Sequence, residues 1–271
     1  MEYIKVVFVA GQDAIDMLVA LLADAGYDGF EESGDGLFAY IERAKFDKGE
    51  LAAIAAGQGV TYETEVIPAQ NWNALWESNF QPVVVEDFCT IRAHFHSMEV
   101  TTPYDIIITP KMSFGTGHHA TTQLMILMMR ETGFSGRTVL DFGTGTGVLA
   151  ILAEMLGADR ITAIDNDEWC VQNALENSSR NNCTKIHVLK GSVEDDPTDM
   201  VDVILANINR HILLQYMPVL YRRLNHGGTI LMSGLLLDDE DIIVACAIEN
   251  GFHFKTLKER SGWIALCFNK I

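Results

Sequence analysis

The stretch that decides the fold is residues 139–150, Val-Leu-Asp-Phe-Gly-Thr-Gly-Thr-Gly-Val-Leu-Ala. A short apolar run ends at Asp141, three glycines follow at alternate positions, and an amphipathic run then continues to Gly157. This order predicts a strand, a glycine turn and a helix, because glycine lets the backbone turn sharply and lets a ligand lie against it. The spacing is G-x-G-x-G, which differs from the G-x-G-x-x-G of dinucleotide-binding enzymes.

A second strand provides the acidic residue that a nucleoside-binding turn of this kind needs. Residues 160–164 form an apolar run that ends at Asp165. An acid about 20 residues after the turn can accept hydrogen bonds from both hydroxyls of a ribose. The alternative is an ordinary strand–helix turn of another α/β protein, and the presence of both halves favours the nucleoside site.

The rest of this half of the chain alternates between strands and helices. We predict strands at 185–190, 202–206 and 229–232, helices at 167–177, after Asn209 with an interruption at Pro218, and near 238–249, and a final hairpin at 252–257 and 263–268. The pattern predicts a largely parallel sheet with helices on both faces and one antiparallel strand. Ligands bind such sheets at the carboxyl ends of the strands, where the Gly143 turn, Asp165 and Asn207 all fall.

The first 67 residues predict a separate small domain of order βαββαβ, which is ferredoxin-like. Its expected elements are a strand at 3–9, a helix capped by Asp13 and ended by Gly26, strands near Phe30 and at 37–41, a helix at 51–56 opened by Asp47 and Glu50, and a strand at 61–67. The domain has no cluster of catalytic residue types, so we expect it to bind a partner. A linker helix at 68–80 follows, in which Trp72 and Trp76 share one face, and the larger domain is expected at 81–271.

Composition limits the class of partner. The chain has 271 residues, is 48% hydrophobic and carries a formal net charge of −18. Such a charge repels phosphate backbones, so we expect no direct nucleic acid substrate, and it attracts a basic partner; the alternative is that acidity only maintains solubility. The five scattered cysteines contain no C-x-x-C pair, and the sequence shows no signal peptide or membrane-spanning run, so we expect a reducing cytoplasm.

Small, hydroxyl-bearing and glycine residues at 109–122 precede an apolar helix predicted at 123–129. A loop of this kind can fold over a ligand held by the next glycine turn. The adjacent His118 and His119 do not form a ligand pair on one helix face, and His94 and His96, on one face of a strand predicted at 82–95, lack a third ligand. We therefore expect no metal.

These features together resemble a known family. The D-x-G-x-G-x-G turn, the acid that ends the second strand and the seven predicted strands resemble class I S-adenosyl-L-methionine-dependent methyltransferases, which have a Rossmann-like sheet. The loop motif F-G-T-G-x-H-x-T-T at 114–122 and the segment Ala-Asn-Ile at 206–208 are similar to the ribosomal protein L-eleven (L11) methyltransferase family, PrmA. The resemblance covers nearly the whole chain.

The resemblance implies a cofactor, a substrate and site residues. The family's contacts to S-adenosyl-L-methionine fall on Thr122, Gly143, Asp165 and Asn207. We add to the cofactor site the neighbouring Asp141, Gly145, Phe114, Gly115 and Thr116, and we assign catalysis to the Asn207 side chain and the Ile208 carbonyl. The implied reaction methylates lysine ε-amines, the N-terminal α-amine, or both, of L11, a basic protein taken free of the ribosome by a monomeric enzyme.

The chain departs from the family pattern in the loop over the active site. Family members usually have Gly at 111, Thr at 118 and Pro at 120, where this chain has Lys111, His118 and Ala120, and a small residue is common at Thr144. These differences bear on substrate access and on the methylation pattern.

Local alternatives remain at three positions. Asn207 can cap the following helix, Asp141 can fix the turn instead of contacting the cofactor, and residues 191–194 can form a plain acidic loop instead of flanking an adenine.

Three other functions are weighed against the methyltransferase. A nucleotide-dependent oxidoreductase would need G-x-G-x-x-G, and a nucleic acid or glutamine methyltransferase would be favoured by a basic surface or an Asn-Pro-Pro-Tyr motif. A binding module that keeps the fold without activity would not need to bind the cofactor.

Overall fold

The computed structural model describes residues 2–10, 12–33, 36–67, 80–109, 114–195 and 200–271. The chain divides into two compact units, residues 1–79 and 80–271. The linker helix expected at 68–80, with Trp72 and Trp76, and the loop residue Lys111 lie outside the described residues. Among the residues that are described, no helix is long and apolar enough to cross a membrane.

The described residues of the first unit form a four-stranded antiparallel sheet with two helices. Its elements are β1 Tyr3–Val9, α1 Gln12–Asp24, β2 Gly29–Ser33, β3 Gly36–Glu42, α2 Lys48–Gln58 and β4 Thr61–Ile67, and the strands lie in the order β2-β3-β1-β4. Alternate residues of β1, namely Ile4, Val6 and Phe8, are buried in the core that the helices cover. The period of two thus selects one face of the strand for the helices.

Helix starts in this unit follow the predicted capping residues only in part. Asp47 is the N-cap of α2, and its carboxylate accepts from the backbone N–H groups of Gly49 and Glu50, although the helix begins at Lys48 and not at Leu51. The predicted cap at Asp13 is wrong, because α1 begins at Gln12 and places Asp13 inside its first turn.

The second unit contains ten strands and five helices among its described residues. They are β5 Val83–Val85, β6 Cys89–Ala93, β7 Tyr104–Ile108, α3 Ala120–Arg130, β8 Thr138–Phe142, α4 Val148–Met155, β9 Arg160–Asp165, α5 Glu168–Arg180, β10 Ile186–Lys190, β11 Val201–Asn207, α6 Arg210–Arg223, β12 Leu224–Leu236, α7 Glu240–Glu249, β13 His253–Arg260 and β14 Trp263–Asn269.

Seven of these strands form one sheet in the order β10-β9-β8-β11-β12-β14-β13. The pairs from β10 to β12 are parallel and only β14 runs against its neighbours, which confirms the predicted sheet with one antiparallel strand. One core, on the side of α3 and α4, and a second core, on the side of α6 and α7, cover the two faces. The strand order reverses between β8 and β11, which opens a crevice at their carboxyl ends.

The strand predicted at 82–95 is two strands. Glu86 adopts a left-handed backbone conformation with φ 50°, so the chain turns between β5 and β6, which pair in antiparallel fashion. Because β6 ends at Ala93, the prediction that His94 and His96 share a strand face is wrong. The Nδ1 atom of His96 accepts from Ala93 N–H at 3.1 Å and its Nε2 atom lies 2.7 Å from the Phe80 carbonyl oxygen, so this histidine closes a turn.

The predicted interruption at Pro218 is also wrong, since α6 continues through it. Proline removes one N–H from the helix ladder, but burial of Leu213, Met217 and Leu220 against the sheet holds the helix together. Similarly, β12 begins at Leu224, before the start predicted at residue 229, and within it the Gly227 N–H donates to the Lys270 carbonyl at 2.7 Å.

Candidate active site

A cavity of about 610 Å³ opens at the carboxyl ends of the central strands of the second unit. It lies at the crevice where the strand order reverses, as the ligand rule for such sheets predicts. Its walls are Phe114, His119, Thr121, Phe142, Gly143, Gly145, Ile164, Asp165, Asn166, Cys170, Gly191, Ser192, Asn207, Ile208, Asn209, His211, Ile212, Tyr216, Gly234 and Trp263.

The glycine turn is held by the neighbouring strand. The N–H groups of Gly143 and Thr144 both donate to the Ile164 carbonyl, at 2.9 and 3.0 Å. A Cβ atom on Gly143 would lie 2.3 Å from the Cγ2 atom of Ile208, and one on Gly145 would lie 2.3 Å from the Phe114 carbonyl oxygen. The glycines therefore admit two other protein segments to the turn while their own backbone lines the cavity.

Asp165 stands at the end of β9 and lines the cavity, half-buried. Its Oδ2 atom accepts from Gly145 N–H at 2.9 Å and its Oδ1 atom accepts from Asp167 N–H at 3.0 Å. Each carboxylate oxygen has two lone pairs, so both keep acceptor capacity toward the cavity. The same side chain therefore orients the glycine turn and presents negative charge to a ligand.

Asp141 has a different position. It is only 1% exposed and is absent from the cavity walls. Burial raises the pKa of its carboxyl group to about 7, against the opposing effect of the Thr144 hydroxyl, which donates to its Oδ2 atom at 2.6 Å. The arrangement matches the turn-fixing alternative, and Asp141 is not among the residues that line the cavity.

Asn207 is the last residue of β11 and reaches the cavity with 9% of its surface exposed. Its Oδ1 atom is buried and accepts no hydrogen bond from any described residue. The N-cap of α6 is Asn209 and not Asn207, and no side-chain cap bond is formed there. The helix-capping alternative for Asn207 is therefore contradicted.

Ile208 continues the line of β11 into the cavity. Its N–H donates to the Ser233 carbonyl at 3.1 Å. Its carbonyl oxygen would lie 2.3 Å from a Cβ atom on Gly234, which has φ 86°. Only glycine at 234 leaves room for the backbone of Ile208 at this wall.

The loop before α3 contributes less to the cavity than the sequence predicts. Phe114 lines it, but Gly115 and Thr116 do not. The Gly115 carbonyl accepts from the Thr146 hydroxyl at 2.7 Å, and the Thr116 hydroxyl lies 3.1 Å from Nδ1 of His118. Gly115 therefore connects the loop to the glycine turn, and Thr116 contacts a residue of the loop itself.

Thr122 is completely buried, and its hydroxyl oxygen has no partner among the described residues. Its neighbour Thr121 is the one that lines the cavity. Thr121 N–H donates to Nδ1 of His119, the N-cap of α3, at 3.4 Å. Adjacent residues of a helix point in directions about 100° apart, so Thr121 lines the cavity and the predicted Thr122 lies behind it.

Sequence reasoning missed the aromatic wall of the cavity. The ring centroids of His119 and Trp263 lie 4.6 Å apart, and those of Phe114 and His119 lie 5.3 Å apart. Trp263 was expected only as a strand residue, and its pairing with Leu236 brings it to the cavity. No local pattern signals this position, because two distant strands meet there.

Two further residues of the cavity wall, Tyr216 and Ser192, had no assigned role in the prediction from sequence. Tyr216 of α6 packs edge-on against Phe142 with centroids 5.3 Å apart. Ser192, in the segment for which an adenine contact or a plain loop remained open, lines the cavity. Its hydroxyl oxygen is buried without a partner among the described residues, so it is free to bond a ligand.

Histidine, cysteine and carboxylate side chains do not gather into a metal-binding group of three or more within the described residues. His119 caps a helix and His118 packs edge-on against Phe80 with centroids 4.8 Å apart.

Comparison with known proteins agrees with this geometry. The family model described as ribosomal protein L11 methyltransferase (PrmA) matches residues 31–271. A ribosomal protein L11 methyltransferase of Porphyromonas gingivalis is 41% identical over 266 residues, 95% of this chain and 91% of that protein. One of Bacteroides fragilis is 40% identical over 260 residues, 93% of each chain.

A solved structure gives the same result. The crystal structure of a ribosomal protein L11 methylase from Lactobacillus delbrueckii subsp. bulgaricus is 30% identical, has a TM-score of 0.66, and covers 71% of this chain and 100% of its own. The chain therefore belongs to the ribosomal protein L11 methyltransferase family.

Proposed function

We propose that this protein transfers methyl groups from S-adenosyl-L-methionine to amines of ribosomal protein L11. The observation that carries the proposal is the buried, unpaired Oδ1 atom of Asn207 in the wall of a strand-end cavity. An acceptor buried without a partner costs about 1–3 kcal/mol, so it is best explained by a ligand that donates to it. The family and the relatives' names support L11 as the source of that donor.

The cavity walls fit the proposed cofactor. A volume of about 610 Å³ lies within the usual range of roughly 300–1,000 Å³ for small-molecule sites. Asp165 offers acceptors to ribose hydroxyls, Ser192 offers a free hydroxyl, and Ile164 offers an apolar surface to a base. When bound, S-adenosyl-L-methionine provides a methyl group on a positively charged sulfonium sulfur.

The substrate amine must lose a proton before it can attack. A lysine with a pKa near ~10.4 requires roughly 4.6 kcal/mol to become neutral at pH 7, and an α-amine near ~7.7 requires about 1 kcal/mol. Burial against the aromatic wall of Phe114, His119 and Trp263 would lower the amine pKa, because desolvation disfavours the charged form. Departure of the proton to solvent leaves the lone pair free.

Asn207 and Ile208 would then orient the amine. The Oδ1 atom of Asn207 accepts one N–H of the amine, and the carbonyl oxygen of Ile208 accepts another, so that the lone pair is directed along the line of transfer. Fixing a nucleophile in this way can contribute several kcal/mol without a general base. No other step is required of these two residues.

The two units would divide the work. The strand order β2-β3-β1-β4 and the βαββαβ sequence of the first unit support its assignment as a ferredoxin-like domain that recognises the protein substrate. The net charge of −18 suits a basic ribosomal protein, taken free of the ribosome by a monomer. The methyltransferase domain of the proposal is residues 81–271, joined by residues 68–80.

Incubation of the full-length protein with purified L11 and labelled S-adenosyl-L-methionine, followed by mass spectrometry of the product, tests the reaction. We expect methylated amines on L11 with the wild type and a strong loss with Asn207→Ala. Calorimetry provides the control: the wild type should bind the cofactor, and the affinity measured for Asn207→Ala sets the cofactor concentration at which that variant is saturated, because Asn207 is also an expected cofactor contact. Absence of cofactor binding by the wild type would instead favour a binding module that has kept the fold.

Deletion of residues 1–67 tests the division between the units. We expect the shortened protein to keep cofactor affinity, because all cavity residues follow Phe114 in the chain, and to lose methylation of L11. A thermal unfolding curve of the shortened protein shows whether it is folded. Full activity on L11 would contradict the recognition role of the first unit.

A further inference from the structure

Asn173 and Asn177 of α5 and Asn181, the C-cap of that helix, lie four residues apart and bind the chain at the edge and end of a neighbouring strand. The edge strand is β7, the outer member of a three-stranded sheet with the order β5-β6-β7. Ile107 N–H donates to Oδ1 of Asn181 at 2.9 Å, and Nδ2 of Asn181 donates to the Ile107 carbonyl at 2.7 Å. Thr109 N–H donates to Oδ1 of Asn177 at 2.7 Å, and Nδ2 of Asn173 donates to the Thr109 carbonyl at 3.0 Å.

The spacing of these side chains explains the contact. Four residues of an α-helix rise about 6 Å and two residues of a strand rise about 6.6 Å, so Asn181 and Asn177 meet Ile107 and Thr109, while Asn173 binds the other side of Thr109. The amide groups replace the backbone of a missing strand, because each offers both a donor and an acceptor. The contact satisfies an edge that would otherwise be left unpaired.

Asn177 also binds the glycine turn. Its Nδ2 atom donates to the Thr146 carbonyl at 2.8 Å. Thr146 in turn binds the loop that precedes α3. Its N–H donates to the Phe114 carbonyl at 3.0 Å, and its hydroxyl donates to the Gly115 carbonyl at 2.7 Å. Asn177 therefore links the two positions indirectly: its side chain binds the Thr109 N–H and the Thr146 carbonyl, and the Thr146 N–H binds the Phe114 carbonyl.

We infer that Asn177 and Thr146 are positioning residues, which set the place of Phe114 in the cavity wall. Both are completely buried, whereas Phe114 is 51% exposed and is not held by packing alone. Phe114 is one of the aromatic residues that would surround the substrate amine, so its place affects transfer. This consequence rests on the proposed function, but the positioning itself does not.

Hydrogen exchange of the free, full-length protein tests the positioning. Asn177→Leu removes the bonds to Thr109 and Thr146, and Asn181→Leu is the matched control, because it removes the same kind of bonds to β7 without touching the turn. The probe is the Thr146 amide, which donates to Phe114. We expect it to exchange about tenfold faster in Asn177→Leu, because one or two net hydrogen bonds are lost. In Asn181→Leu its exchange rate should change by less than about twofold. Equal effects of the two variants would overturn the inference.

A second pair of variants keeps the test valid if Asn177→Leu does not fold. Thr146→Val removes the donor to Gly115, and Thr146→Ser restores it. In single-turnover methylation of L11 we expect the rate with Thr146→Val to fall about tenfold and that with Thr146→Ser to stay within about threefold of the wild type. If the Phe114–Gly115 segment exchanges faster in Thr146→Val but the wild type transfers no methyl group, the proposed function is wrong and the positioning still holds. Unchanged exchange and rates in both Thr146 variants would overturn the positioning.

Discussion

The carboxyl ends of β8 and β11 lie side by side at the centre of the large sheet, yet the polar side chains there differ in whether their hydrogen bonds are satisfied within the protein. The two strands pair directly, with Leu205 opposite Asp141 and Ala206 opposite Phe142. Asp141, near the end of β8, is buried and accepts a short bond from Thr144. Asn207, at the end of β11, keeps a buried oxygen with no partner among the described residues.

This difference in hydrogen bonding distinguishes residues that stabilise the structure of the protein from residues that are available to bind a ligand. A buried polar group whose bonds are all internal stabilises one local conformation, whereas a buried acceptor without a partner lowers stability until something donates to it. Asp165 is intermediate, since its oxygens orient the turn and also face the cavity. Hydrogen-bond satisfaction thus distinguishes the three residues better than their shared location at strand ends.

The largest effect that tests this contrast is expected in the pH dependence of the free energy of unfolding, compared between Asp141→Asn and the wild type. Burial raises the pKa of the Asp141 carboxyl to about 7, so the unfolded chain loses this proton at lower pH than the folded protein does. The folded state therefore loses stability as pH rises from about 4 to about 7, and the penalty, about 4 kcal/mol at 1.36 kcal/mol per pH unit, is complete above about pH 7.

Asparagine cannot ionise, so the stability of Asp141→Asn relative to the wild type should increase by up to about 4 kcal/mol between roughly pH 4 and pH 8. Chemical unfolding of both proteins across this range measures the difference. A difference that stays constant with pH would show that Asp141 is not the buried titrating group.

Next in size is the effect of Asp165→Ala on cofactor binding. Loss of a charged acceptor for two hydroxyls should weaken binding of S-adenosyl-L-methionine by about 1.5–3 kcal/mol. Calorimetry at neutral pH measures it, and Asp141→Asn is the comparison that should bind within about 0.5 kcal/mol of the wild type, because Asp141 does not reach the cavity. If Asp165→Ala binds the cofactor as tightly as the wild type, Asp165 only stabilises the turn, as Asp141 does.

A smaller effect is expected for methyl transfer by Asn207→Ala. Removal of the unpaired acceptor should lower the single-turnover rate on L11 by about tenfold or more, which is at least about 1.4 kcal/mol. Folding stability should not fall by the cost of a lost bond, because Oδ1 has no partner among the described residues to lose. A wild-type rate at saturating cofactor would remove Asn207 from the reaction.

The smallest effect is expected for Asn207→Asp, which keeps the size of the side chain and changes its charge. A carboxylate beside the amine favours the protonated amine, which cannot attack. The transfer rate should therefore fall several-fold near neutral pH and recover partly as pH rises, about in proportion to the fraction of neutral amine. A pH–rate profile parallel to that of the wild type would argue that the amine lies away from position 207.

Local patterns in the sequence were sufficient for most of the fold. The β9 strand has the predicted bounds, Arg160–Asp165, because an apolar run between a charged residue and an acid is itself a local signal. The interruption predicted at Pro218 is wrong because burial of the helix against the sheet outweighs the local cost of proline. The single strand predicted at 82–95 is wrong because the chain turns at Glu86, which has a left-handed backbone conformation. Of the predicted site residues, those that follow strand ends, Gly143, Asp165 and Asn207, line the cavity.

The sequence by itself determined the order of the elements, the glycine turn and the polar residues at the strand ends, because periodicity and glycine spacing act over a few residues. Only the tertiary structure decided which of those residues face the cavity and which remain unpaired. Trp263 enters the wall by pairing with Leu236, and the Gly115 carbonyl beside Phe114 accepts from the Thr146 hydroxyl, 31 residues further along the chain. Such partners are distant in sequence, and hydrogen bonding and burial become defined only when packing brings them together.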